Sequence, residues 1–173
     1  MTDLKEVAVA PRLIEVRQPK PNDVVGRDFT VAGFGTGFEA TVLWQLLDTS
    51  GQSVAQGNIQ GAGSMGVIRD FGHKVSVGGF TARAAPMTLQ VFGEDASGIH
   101  PPGTDLNLVP VTLFTALEGF KLYEVAAGDN LTKIAREQGQ NTTVEDIVQA
   151  NRDRISNPNL IFPGQIFRIP LLG

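Results

Sequence analysis

Cysteine is missing from all 173 residues, and histidine (two), tryptophan (one) and tyrosine (one) are nearly so. Without cysteine there is no disulfide scaffold, no thiolate zinc or iron–sulfur centre and no thiol nucleophile. Its absence does not fix a compartment, because many bacterial envelope proteins also lack it. Charge is modest, with 14 Lys and Arg against 18 Asp and Glu, a net charge of −4. That balance excludes a nucleic-acid binder that works by neutralising phosphates. No apolar run approaches the ~18 residues of a membrane-spanning helix. The first 16 residues lack the basic stretch and the apolar run of about 7–15 residues that make a secretory leader, so no leader is expected. What remains is an ordinary globular composition, 42% hydrophobic with 20 Gly and 10 Pro. Its length suits one sizeable domain or two small ones.

Two periodicities divide the chain. Between about residues 12 and 114, apolar residues alternate and Gly, Asn, Asp or Pro interrupt them every 8 to 12 positions. Phe38, Ala40, Val42, Trp44 and Leu46 share one side of a run, with Glu39, Thr41 and Gln45 on the other, where Leu43 and Leu47 also lie. Alternation of that kind is a half-buried strand. Residues 13–16, 29–34, 54–59, 74–80, 87–92 and 106–113 read in the same way, and Asp48-Thr-Ser-Gly51 supplies a hairpin turn. Seven short strands without an intervening helix predict an antiparallel, immunoglobulin-like β-sandwich in which Trp44 anchors the core between the sheets.

After Phe114 the pattern changes. Residues 123–125 form a short strand, and Leu131, Ile134 and Ala135 then fall at helical spacing. Thr143 can cap a second helix with Asp146 at its third position. That helix has a stripe of Val144, Ile147 and Val148. Pro158 forbids further helix, Pro163-Gly164 is a turn, and residues 166–169 close the unit as a strand. The β-α-α-β order fits about 50 residues. Residues 121–173 carry six basic and six acidic side chains, so the net charge belongs to the rest of the chain.

This C-terminal text resembles the LysM domain. The residues that carry the resemblance are Tyr123, Val125, Gly128-Asp129-Asn130-Leu131, Ile134-Ala135, Ala150-Asn151 and Ile161-Phe-Pro-Gly-Gln-Ile-Phe-Arg-Ile-Pro170. Asn130 stands where the family usually has threonine. The resemblance implies binding of N-acetylglucosamine-containing glycans, namely peptidoglycan and chitin. The groove would lie between two turns, Gly128, Asp129, Asn130 and Leu131 on one side and Asn157, Pro158, Asn159, Leu160 and Ile161 on the other. An acetamido group offers an acceptor, a donor and a methyl. Loop backbone can meet the first two, and Leu131, Leu160 or Ile161 can cover the third. An unmade amide partner costs about 1–3 kcal/mol, which would select acetylated sugars. Several of these residues also have purely structural uses: Gly128 in a turn, Asp129 at a helix entry, Asn151 at a helix end.

The text from about Pro21 to Leu113 resembles the Gmad2 immunoglobulin-like domain. The residues that carry this are Phe29-Thr-Val-Ala-Gly33, Phe38-Glu-Ala-Thr-Val42, Leu47-Asp48 with Gly51, and Leu89-Gln-Val-Phe92 followed by Asp95 and Gly98. The resemblance implies an envelope-associated or protein-interacting module and no chemistry of its own.

Other motifs carry less. Gly61-Ala-Gly63-Ser-Met-Gly66 fits a dinucleotide fingerprint by letter, but Val67-Ile68-Arg69-Asp70-Phe71-Gly72 follows where a helix would have to open, so a bulged β-loop is expected. Glu94, Asp95 and His100, and separately Asp70 and His73, are close in sequence but lack a metal-ligand or acid–base spacing. Asn130-Leu-Thr132 and Asn141-Thr-Thr143 fit a glycosylation pattern by chance.

The expected organisation is a tail at 1–11, a sandwich at 12–114, a linker at 115–121 and the βααβ unit at 122–173. Phe114, Leu117 and Phe120 in the connecting stretch are too apolar for a flexible tether and should pack to fix the modules. The expected function is non-catalytic glycan binding at the envelope or outside the cell. It needs no metal and no cofactor. The sandwich would present the unit or recruit a protein partner, and self-association or a polymeric ligand would add avidity. The alternative is a structural adaptor, in the cytoplasm or in a secreted particle, whose C-terminal unit and sandwich both bind protein, and which the missing leader favours.

Overall fold

A computed structural model describes residues 13–93 and 105–173, so the tail and the Glu94, Asp95 and His100 cluster lie outside the described residues. The N-terminal part contains β1 (Ile14–Gln18), β2 (Asp23–Val25), β3 (Asp28–Gly35), a 3-10 turn (Phe38–Ala40), β4 (Thr41–Leu47), β5 (Ser53–Gln60), β6 (Arg69–Ser76), β7 (Ala84–Gly93) and β8 (Asn107–Phe114). The C-terminal part contains β9 (Leu117–Glu124), α1 (Leu131–Gln138), α2 (Val144–Ala150) and β10 (Ile166–Leu172). A three-stranded sheet, β1-β3-β6, faces a five-stranded sheet, β2-β8-β7-β4-β5, and β9 pairs with β10.

Alternation explains the core. Val42, Trp44 and Leu46 of β4 point inward with Met87, Leu89 and Val91 of β7 and Val109, Val111 and Leu113 of β8. Ile14, Phe29, Val31, Phe71 and Val75 of the smaller sheet complete the cluster. Each such side chain stabilises the fold by roughly 1.5–3 kcal/mol of burial. Trp44 is 6% exposed and lies opposite Gly57 on β5. A Cβ at Gly57 would come within 3.0 Å of the indole nitrogen, so the glycine makes room for the ring.

Three expectations are corrected. The sandwich is not wholly antiparallel, because β2 runs parallel to β8. Phe38 is not in a strand: Phe38–Ala40 is a 3-10 turn with Glu39 and Ala40 at positive φ, and Phe38 is half exposed. The strand expected at 74–80 is β6, which begins at Arg69 and ends at Ser76.

The two parts meet closely. Phe114 is fully buried with Val24, Ala150 and Leu172, and Ala84 and Leu117 pack on the same cluster. Residues 117–121, expected as linker, belong to β9, so only Thr115 and Ala116 separate β8 from β9. Phe120 remains half exposed rather than packed. Arg83, ahead of β7, forms an ion pair with Asp146 of α2 (Nε to Oδ1 2.9 Å, Nη2 to Oδ2 2.9 Å) and donates to the Asn141 carbonyl. The Thr112 hydroxyl donates to the Gln149 carbonyl at 3.1 Å.

Candidate functional site

The first turn lies between β9 and α1. Gly128 takes φ +84°, the left-handed region that favours glycine, and lets the chain reverse. Asp129 follows, and its side chain is 1% exposed. Its carboxylate accepts from Lys133 Nζ (2.9 Å), the Ala126 amide (2.9 Å) and the Tyr123 hydroxyl (2.8 Å). These donors, Lys133 foremost, hold its pKa down at about 2. The same contact pushes the Tyr123 phenol and the Lys133 ammonium up. Asn130, not Asp129, caps α1: its Oδ1 accepts from the Lys133 amide at 2.9 Å. A threonine at this position could do the same. Leu131 is 3% exposed and belongs to the C-terminal core with Ile134, Ile147, Phe167 and Ile169.

A depressed carboxylate stabilises the fold above its unfolded value of 3.8 and loses that contribution as pH falls toward 2. Asp129→Asn is therefore expected to lower the melting temperature by several degrees at pH 7. It should also flatten its decline between pH 4 and pH 2, which thermal unfolding at stepped pH would measure.

The second turn follows α2. Asn157 folds it locally: its Oδ1 accepts from the Asn159 amide (3.0 Å) and its carbonyl from the Leu160 amide (3.0 Å). Asn157, Pro158, Asn159 and Leu160 are exposed, whereas Ile161 packs partly on the core. Phe162 is 54% exposed, and its amide donates to Gln165 Oε1. Gly164 takes φ +87° in the turn that leads to β10.

Val125, ahead of the first turn, bonds to the chain just beyond the second. Its amide donates to the Gln165 carbonyl and its carbonyl accepts from the Gly164 amide, both at 2.8 Å. The strand end before the first turn is thus fastened to the Pro163-Gly164 turn that follows the second, while Leu131 and Ile161 pack in one cluster. Of the nine sequence-predicted residues, Leu131 and Ile161 support the site from within, and the side chains of Asp129 and Asn130 are engaged inside their own turn. Gly128, Asn157, Pro158, Asn159 and Leu160 face solvent. Among the described residues the amides of Asn130, Leu131 and Ile161 make no hydrogen bond within the protein. Exposed Phe162 was not expected at the site; its place just before Pro163-Gly164, outside the alternation of buried residues, was the available signal.

The other motifs take different places. Gly61, Gly63 and Gly66 lie in the β5–β6 loop, no helix follows, and Gly63 is bridged to Gly35 and Gly37 through its own N–H and C=O. Asp70 and His73 both lie on β6. Among the described residues no three His, Asp or Glu are grouped to hold a metal, and no helix is long and apolar enough to cross a membrane.

Comparison with known proteins agrees with this organisation. The family model for the immunoglobulin-like domain of bacterial spore germination, Gmad2, matches residues 13–99, and that for the LysM domain matches residues 123–170. No curated protein matches the chain. One solved structure, WR4, a C. elegans MSP family member, is 13% identical over 61% of this chain and 100% of its own. Its TM-score is 0.27, too low to carry an argument. The chain belongs to the Gmad2 family, its sandwich followed by a LysM domain of the kind that generally binds N-acetylglucosamine polymers such as peptidoglycan.

Proposed function

We propose that this protein is a non-catalytic binder of N-acetylglucosamine-containing glycan at the bacterial envelope or outside the cell. The LysM domain holds the polymer, and the sandwich presents that domain or recruits a protein partner. The observation that supports the reading is the packing of Leu131 and Ile161, one from each turn, on a single cluster, with Val125 ahead of the first turn bonded to Gly164 and Gln165 beyond the second. The amides of Asn130, Leu131 and Ile161 are the donors for an acetamido carbonyl, and Leu160, 56% exposed, covers its methyl. Side chains of Asp129 and Asn130 take no direct part, since their polar atoms hold the turn together. Few ligand atoms are buried in so shallow a site, so a single domain binds at roughly micromolar to millimolar strength. Useful retention then comes from a polymeric ligand or from self-association.

Co-sedimentation with purified insoluble peptidoglycan, with chitin in parallel, tests the reading. The full chain should pellet with the wall, and Leu160→Asp should reduce its retained fraction. The loss of apolar cover is about 1–2 kcal/mol, or roughly tenfold in affinity. Leu160 is exposed, so the variant keeps its fold, whereas replacing Asp129, Asn130 or Leu131 would disturb the turn itself. Equal sedimentation of variant and parent removes the assigned site. No sedimentation of the parent favours the adaptor reading. Assays for muramidase and amidase activity should detect no cleavage.

A further inference from the structure

Between the sandwich and the LysM domain lies a groove of about 200 Å³, open on one side. Thr88 of β7 and its register partner Pro110 of β8 line it from the five-stranded sheet. Asn22, Thr49 of the β4–β5 turn and Arg152 at the end of α2 line it from the sides. Backbone offers little here. Pro110 has no N–H, and its carbonyl already accepts from the Asn22 amide at 2.6 Å. Recognition falls to side chains, and these are free: among the described residues the Asn22 carboxamide and the Thr49 and Thr88 hydroxyls make no hydrogen bond within the protein. Arg152 donates only to Gln149 Oε1, at 3.1 Å, and pairs with no carboxylate among the described residues.

Arg152 is the group that can receive an anion. Two carboxylates border the groove, and both are engaged. Asp48 Oδ1 accepts from the Ser50 amide, the Ser50 hydroxyl and the Gln52 amide. Asp153 accepts from Arg168 at 3.1 Å and Arg154 at 3.4 Å. Asp153 is thus paired with two guanidinium groups and Asp48 is held by neutral donors, while Arg152 is left without a counter-ion among the described residues. The volume is below the ~300–1,000 Å³ of a pocket that encloses a whole small molecule. It suits the end of a chain entering from the open side. A guanidinium fork matches a carboxylate, and a carboxamide beside hydroxyls matches a peptide group.

We propose that this groove is a second binding site, for a short peptide ending in a free carboxylate. Arg152 receives the carboxylate, Asn22 and Thr88 meet the preceding peptide group, and Pro110 carries a small side chain. Such an end occurs on a peptide attached to wall glycan and at the C-terminus of a protein. The site is independent of the glycan turns.

Titration of the ¹⁵N-labelled full chain with N-acetyl-Ala-Ala, and with the same peptide as its C-terminal amide, tests the proposal. The acid should shift the amide signals of Thr49, Thr88 and Arg152 with about millimolar affinity. The amide form should bind at least tenfold more weakly. Arg152→Gln should abolish the response to the acid while leaving other signals in place, and Thr88→Val should weaken it. A response to the acid no larger than to the amide overturns the proposal, as does unchanged binding by Arg152→Gln. A peptide-bearing disaccharide from the wall distinguishes the sources. Binding tighter than the dipeptide supports the site with the wall polymer as its ligand, and equal binding supports it with a protein C-terminus. An N-acetylglucosamine oligomer, titrated separately, shifts residues 157–162 if the glycan reading holds, whichever way the peptide result falls.

Discussion

Replacing Asn151 with aspartate is expected to unfold the LysM domain. Asn151 is fully buried, and its carboxamide is saturated. Nδ2 donates to the Ile147 and Arg168 carbonyls and Oδ1 accepts from the Arg168 amide, all at 2.7 Å. One side chain therefore closes the end of α2 and fastens it to β10. Aspartate keeps the acceptor but turns an anionic oxygen toward two carbonyls and leaves both without a donor. Each unmade buried bond costs about 1–3 kcal/mol, with more for the charge, so the total is about 3–5 kcal/mol. A unit of this size has roughly 3–8 kcal/mol to lose. The expected sign is loss of the circular-dichroism signal at 222 nm, since both described α-helices lie in this domain. Fluorescence of the single tryptophan, Trp44, should still report a folded sandwich. Asn151→Ala should cost less, because it buries no charge.

Asp146→Ala should have the next largest effect, because one carboxylate serves two purposes. Its Oδ2 accepts from the Thr143 amide and hydroxyl, each at 2.8 Å, which completes the capping box at the start of α2. It also holds Arg83 from the sandwich, while its own side chain is 3% exposed. Loss of the cap costs about 1 kcal/mol. Loss of the ion pair adds about 1–2 kcal/mol, discounted because Arg83 is 52% exposed and returns to water. Burial alone would raise the Asp146 pKa, but Arg83 and Thr143 outweigh it, and the value lies below 3.8. The contribution is thus complete above about pH 4 and disappears as pH falls through the folded value. A double-mutant cycle with Arg83→Gln should show coupling at pH 7 that declines as the pH is stepped down below about 4 and Asp146 takes up its proton. Arg83→Gln should also let the domains reorient, seen as divergent NMR relaxation in the two halves.

Much of this is legible in the sequence. Val42, Trp44 and Leu46 alternate with polar neighbours and form the inner row of β4. Thr143 and Asp146 stand three apart ahead of an apolar stripe and form the capping box. What the sequence concealed has physical reasons. β2 has three residues and owes its conformation to the neighbouring β8, too short a run for periodicity to show. β6 is an edge strand whose two inward residues, Phe71 and Val75, are four apart with Gly72, His73 and Lys74 between them. In β9, Phe120 and Leu122 lie on the solvent side, so the apolar letters mark the wrong face and the strand reads as linker. The two turns of the candidate site were named from resemblance. The bonds from Val125, before the first turn, to Gly164 and Gln165, after the second, are backbone bonds to which no letter corresponds. Likewise Arg83 and Asp146 are 63 residues apart, and only the packed fold brings them together.

The two-residue step from β8 to β9 has a mechanical consequence. Strand β8 is an interior member of its sheet, with β7 on one side and β2 on the other. Tension applied to the C-terminal domain is therefore delivered to the sandwich along a strand bonded on both flanks. Such a strand cannot be peeled away one bond at a time from a free border. It must slide against two neighbours together, so that pulling on the anchor strains many bonds at once.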